Sequence, residues 1–188
     1  PDLFNHLERT GAPMMPRDVG LVIGHTGAAA GDRVLDAGTG TGILAAYLGR
    51  LGADVTTYER DADFAEVARD NMAVAGVADT VDVRTGDLTE ETDALAGAEP
   101  FDLLTLDTED APEVVAGAGE LLAAGGYLAV YSPFVENSRA TVAAAEAAGL
   151  SDIETIETIQ RELTVDDRGT RPSTAGVGHT GYLTFARR

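Results

Sequence analysis

Short apolar runs rich in β-branched or aromatic residues recur along the chain at 33–37, 54–58, 80–84, 101–106, 127–131, 153–163 and 180–186. Between the first five lie segments rich in Ala, Leu and Glu, at 41–51, 62–75, 90–96 and 112–122. Runs this short, bounded by Gly, Asp and Pro, read as strands, and the longer segments between them as helices. Strict alternation of the two predicts parallel βαβ units with helices on both faces of one sheet. The pattern then changes. After a helix-like segment at 135–147, the last two runs are separated only by a loop at 166–178, which predicts an antiparallel hairpin. The expected fold class is α/β: a doubly wound, mostly parallel, seven-stranded sheet closed by a C-terminal antiparallel hairpin. Small-residue stretches at 94–97 and 116–119 read as helix ends rather than linkers, so residues 1–188 are expected to form one domain.

Composition narrows the function. There is no cysteine, so disulfide frameworks, thiolate metal sites and cysteine nucleophiles are excluded; no metal site is expected, and a reducing cytoplasm is the expected compartment. No apolar run approaches the ~20 residues that span a bilayer, so no membrane partner is expected. Charge complicates the choice of partner. The 32 acidic residues outnumber 13 basic ones, giving a net charge of −19, and every basic residue is arginine. Such a balance opposes binding to a polyanion. A lysine-free, acid-coated surface also fits adaptation to high salt, and molar salt shortens electrostatic reach to ~3 Å.

The most informative segment is Val34-Leu35-Asp36-Ala37-Gly38-Thr39-Gly40-Thr41-Gly42, a buried strand running through a glycine turn into a helix. Glycines allow the backbone to turn sharply and approach a ligand, and the following helix presents free N–H groups. A dinucleotide fingerprint starting at Gly38 would need its third glycine at position 43, where this chain has Ile43. The observed Gly-x-Gly-x-Gly resembles methyltransferase motif I instead, whose sulfonium cofactor does not need the close helix packing that a pyrophosphate does. Glu59 ends the second strand, placed to accept from both ribose hydroxyls, with Arg60 beside it. Asp87 and Leu88 follow the third strand, where an acid can accept from an adenine amine. Ligands of open α/β sheets sit outside the carboxyl ends of the strands, where all of these fall.

Together these residues resemble the catalytic domain of the tRNA (adenine-N1)-methyltransferases, a family of the Rossmann-like class I S-adenosylmethionine-dependent methyltransferases. The similarity runs through Arg9-Thr10-Gly11, Pro16-Arg17-Asp18, the Gly38 turn, Tyr58-Glu59, Gly86-Asp87 and Leu106-Asp107. It continues through Gly125-Gly126, Tyr131-Ser132-Pro133, Arg171-Pro172 and Gly178-His179-Thr180-Gly181. The resemblance implies methyl transfer to N1 of a T-loop adenine, S-adenosylmethionine as cofactor, tRNA as partner and a homotetramer. It also implies a small N-terminal β domain, which this chain lacks. Cofactor binding is expected at Asp36, Gly38, Thr39, Gly40, Thr41, Gly42, Glu59, Arg60, Asp87, Leu88 and Asp107.

Asp107, ending the fourth strand, is by this resemblance the catalytic aspartate. A carboxylate accepting from the exocyclic amine would orient the base and stabilise the cation that methylation creates. Substrate contacts are expected at Met15, Arg17, Arg171 and His179. His179 also reads as a structural hydrogen-bonding group. Two departures concern the acceptor: Met15 stands where the family has Tyr, and Ala111-Pro112 where it has Pro-Trp. A methyltransferase acting on a small molecule or protein carboxylate, and a non-catalytic RNA-binding or scaffold subunit, remain as alternatives.

Overall fold

A computed structural model describes residues 2–176 and 178–188; Val177, within the expected 166–178 loop, and Pro1 lie outside the described residues. The chain runs α1 (Leu3–His6), α2 (Pro16–Thr26), β1 (Arg33–Ala37), α3 (Ile43–Leu51), β2 (Asp54–Glu59), α4 (Ala62–Ala75), β3 (Val81–Thr85) and α5 (Leu88–Ala96). It continues with β4 (Phe101–Leu106), α6 (Ala111–Ala116), α7 (Ala118–Leu121), β5 (Leu122–Ser132), α8 (Val135–Ala147), β6 (Ser151–Glu157), β7 (Leu163–Asp166), β8 (Gly169–Pro172) and β9 (Tyr182–Arg187).

Seven strands form one sheet in the order β3-β2-β1-β4-β5-β9-β6. Neighbours from β3 to β5 pair in parallel, and β9 enters antiparallel between β5 and β6. This is the expected doubly wound sheet with its antiparallel closure. Because strand side chains alternate between faces, Val34 and Leu103 face one core while Leu35 and Leu104 face the other. The first core takes α1 to α4, with Val19, Val22, Leu48 and Met72; the second takes α5 to α8, with Leu88, Val114, Val115 and Leu121. Among the described residues no helix is long and apolar enough to cross a membrane.

Three local expectations change. Helix α2 does not appear in the strand and helix pattern, yet Pro16 opens it, Gly27 closes it in the left-handed conformation, and Val19 and Val22 are buried. The single helix expected at 112–122 breaks at Gly117, with Leu122 already on β5. The run at 153–163 divides, because β6 pairs with β9 only as far as Glu157 opposite Tyr182. Beyond that point β7 finds its partner in β8, a separate two-stranded hairpin whose second strand falls inside what was expected to be loop.

Candidate active site

The sheet order reverses between β1 and β4, and the loops leaving their carboxyl ends diverge there to open a crevice. Backbone hydrogen bonds carry the sheet ladder past the strands into these loops. Gly38 N–H donates to the Tyr58 carbonyl (3.1 Å), Asp107 N–H to the Ala37 carbonyl (2.9 Å), and Gly86 N–H to the Glu59 carbonyl (2.9 Å). Four loops are thereby fixed side by side. Gly38 has φ +85°, and a Cβ there would lie 2.0 Å from the Asp107 carbonyl oxygen. Only glycine lets the first loop lie against the fourth strand's end.

The crevice is a cavity of about 400 Å³, lined by Gly38, Gly40, Glu59, Arg60, Phe64, Asp87, Leu88, Asp107, Glu109 and Asp110 among others. Glu59 Oε2 accepts from Gly40 N–H (2.9 Å) and Oε1 from Asp61 N–H (3.0 Å), so the carboxylate is braced against the turn with lone pairs to spare. Asp87 caps α5: Oδ1 accepts from the Thr89 N–H (2.9 Å) and hydroxyl (2.7 Å). Those donors hold the Asp87 carboxyl below the usual carboxylate range. Arg60 reaches Asp110 at 2.7 Å, Asp87 at 3.6 Å and Glu109 at 3.7 Å. Five carboxylates thus face a single guanidinium in the lining. A pyrophosphate would be repelled there, whereas an adenosyl sulfonium carries the complementary charge.

Asp107 borders both this cavity and a cleft of about 40 Å³. Burial, followed by the nearby charge of Asp36, pushes the Asp107 carboxyl up to about 7. Asp36 is itself buried and does not line the large cavity; one oxygen accepts from the Thr57 hydroxyl (2.5 Å) and the other from the Thr105 hydroxyl. Burial raises its proton affinity, and the two hydroxyls counter the rise. Thr39 continues this buried chain to Thr57 (2.5 Å), and Thr41 accepts from Thr10 N–H (3.1 Å). Thr39 and Thr41 border the small cleft, while Gly42 caps α3 and lines neither space.

The residues expected to touch substrate separate. Arg17 donates to the Thr180 hydroxyl (3.0 Å), bringing the start of α2 to the approach to β9. His179 bonds Glu157 (2.7 Å) and the Pro133 carbonyl (3.4 Å), and the Glu157 bond holds its proton affinity above the ordinary value. Met15 precedes α2 and borders neither space; Met14 lines the cleft instead. Arg171 lies exposed on β8 and likewise borders neither.

Tyr131 belongs to the motif set read from sequence, but no role was assigned to it. Its hydroxyl donates to the Thr180 carbonyl (2.6 Å). Burial, then the charges of Asp107 and Asp18, pushes that hydroxyl up to about 12. A Cβ on Gly181 would sit 2.6 Å from the Tyr131 ring, a close approach that accounts for glycine ending the Gly178-His179-Thr180-Gly181 motif. Phe64 and Asp110 also line the large cavity, and nothing in the local sequence pattern distinguishes them from helix-start residues. Among the described residues there is no group of three or more His, Asp or Glu able to hold a metal ion.

Comparison with known proteins adds context. Residues 5–170 match the family described as the tRNA methyltransferase complex GCD14 subunit. The tRNA (adenine(57)-N(1)/adenine(58)-N(1))-methyltransferase TrmI of Methanocaldococcus jannaschii is 32% identical, over 99% of this chain and 75% of that protein. Among solved structures, a SAM-dependent O-methyltransferase from Thermotoga maritima superposes with a TM-score of 0.89 at 26% identity, covering 100% of this chain and 71% of the other. The tRNA (m1A58) methyltransferase TrmI of Aquifex aeolicus shares the fold at TM-score 0.85 and 22% identity, covering 98% and 73%.

Proposed function

The chain belongs to the tRNA methyltransferase complex GCD14 subunit family, and on that footing we propose that it transfers a methyl group from S-adenosylmethionine to N1 of an adenine in tRNA, in the T-loop. One observation carries the reading: the Gly38 turn, Glu59, Asp87 and Asp107 converge on a single acid-lined cavity at the sheet's switch point. Gly38 and Gly40 supply backbone room, Glu59 accepts from ribose hydroxyls, Phe64 and Leu88 offer apolar surface to the adenine, and Asp87 accepts from its amine. When bound, the cofactor supplies an electrophilic methyl carried on a positive sulfur.

Asp107 supplies the acceptor chemistry. The in-plane lone pair of adenine N1 takes the methyl, so the ring gains a positive charge and no strong base is required. An ionised Asp107 accepts from the neighbouring exocyclic amine, which fixes N1 in line and offsets that charge. The base must leave its stack to reach so recessed a carboxylate. Met14 lines the cleft that Asp107 borders, and Arg17 and Tyr131 both bond Thr180. Arg171 and its neighbour Arg168, exposed on the β7–β8 hairpin, suit contact with tRNA phosphate outside the pocket. His179 ties the end of β6 to the segment after β5, a structural role.

The same reading takes residues 1–188 as the catalytic domain, working in a salt-rich cytoplasm where screening lets an acidic surface approach RNA. A homo-oligomer fits the exposed apolar groups Phe134, Val135, Ile159, Leu163 and Val165. An oxygen acceptor is the second reading, favoured by the similarity to the Thermotoga maritima O-methyltransferase and by the Met15 and Ala111-Pro112 departures. The deciding experiment incubates the protein with unmodified tRNA and S-adenosylmethionine at molar potassium chloride, then analyses the nucleosides. N1-methyladenosine is the expected product; cofactor turnover without it would transfer the activity to another acceptor.

A further inference from the structure

Residues 107–110 join β4 to α6 and begin with Asp107, so whatever holds this segment holds the proposed catalytic carboxylate. From one side, Asn137 of α8 donates to the Glu109 carbonyl (2.9 Å). From the other, Arg60 crosses the cavity mouth from the end of β2 to reach Asp110 (2.7 Å) and Glu109 (3.7 Å). Its third contact, Asp87 at 3.6 Å, ties the same guanidinium to the loop after β3. Asp110 adds an independent sign. It precedes α6, where an aspartate ordinarily caps the helix, yet its side chain makes no capping bond. Asp61 and Asp87, in the equivalent position before α4 and α5, both cap. The carboxylate of Asp110 is turned away from its own helix toward Arg60.

We propose that Arg60 is a positioning residue: its bond to Asp110 straps the 107–110 segment across the donor cavity and so keeps Asp107 aligned with the acceptor. Arg60, expected from the sequence to touch the cofactor directly, acts here through Asp110. This inference rests on the methyl-transfer reading above. One guanidinium nitrogen of Arg60 bonds Asp110 and the other lies near Glu109, so the planar group spans two side chains of the same segment and restrains it geometrically as well as electrostatically.

The test is a double-mutant cycle of Arg60→Ala and Asp110→Asn, with Arg60→Lys as the conservative variant. Two measurements are made on each: kcat and KM for methylation of tRNA, and amide hydrogen exchange at 108–110 without tRNA. Each single change should lower kcat about fivefold with a smaller effect on KM for tRNA, and the double variant should be no worse than either. Arg60→Lys should recover part of the loss. Exchange at 108–110 should accelerate equally in both single variants. Multiplying effects on kcat, or unchanged exchange, would overturn the strap. Reduced donor affinity in Arg60→Ala with a normal Asp110→Asn protein would return Arg60 to direct contact. A wild-type protein that methylates no tRNA would defeat the functional reading, and hydrogen exchange would still decide the strap.

Discussion

Replacing Asp107 by Asn removes a charge while keeping nearly the same shape, so it isolates what the carboxylate does. The Asp107 carboxyl is held at about 7 against an ordinary 3.8. Between those limits the folded protein binds a proton that the unfolded chain has already lost. Stability contributed by the protonated acid is therefore full below about pH 4 and declines as pH rises toward 7. At ~1.36 kcal/mol per unit, the folded wild type is disfavoured by about 1.5 kcal/mol at pH 5 and about 4 kcal/mol at pH 8. Asp107 is partly exposed on its cavity side, and screening reduces the pH-dependent difference to about 1 to 2 kcal/mol. The Asn variant escapes this cost, so it should melt higher than wild type by a margin that grows by about 3 to 6 °C between pH 5 and pH 8. Turnover moves the other way. Wild-type kcat/KM should rise with pH through about 7, as Asp107 ionises in the free enzyme. Asp107→Asn should lose that limb and lower kcat by ~10² to 10³. Differential scanning calorimetry and initial rates at fixed salt give both results; a melting difference independent of pH, or an unchanged rate, would refute the reasoning.

Glu59→Gln should raise the dissociation constant for S-adenosylmethionine by about 10- to 100-fold, through loss of charged hydrogen bonds, and calorimetry showing wild-type affinity would place the ribose elsewhere. Gly38→Ala puts a Cβ into the Asp107 carbonyl and should abolish donor binding while costing about 1 to 3 kcal/mol of stability, read from denaturant melts; normal donor binding would contradict the cradle. With a net charge of −19, the melting temperature should climb steadily as potassium chloride is raised from about 0.1 M to about 2 M; a flat or falling trend would remove the high-salt reading.

Local chemistry sufficed for the sheet's composition and for one half of the site. Strand and helix periods are read from neighbouring residues, so β1 to β5 and the closing antiparallel strands were visible without any tertiary contact. The Gly38 turn and the acids ending β2 and β4 were visible for the same reason, since a strand end and a glycine turn are local events. Helix α2 was not, because Gly20 and Gly24 weaken its local signal and the burial of Val19 and Val22 against the sheet stabilises it. The break between β6 and β7 depended on where a strand more than twenty residues away stops pairing. Arg60 and Asp110 lie fifty positions apart, and Tyr131 meets Thr180 across forty-nine. Which acid caps a helix and which holds a loop is decided only when the sheet brings those partners within hydrogen-bond range. A one-dimensional pattern encodes conformational preference, whereas the site's geometry is a property of contacts between segments that have no order until the chain closes.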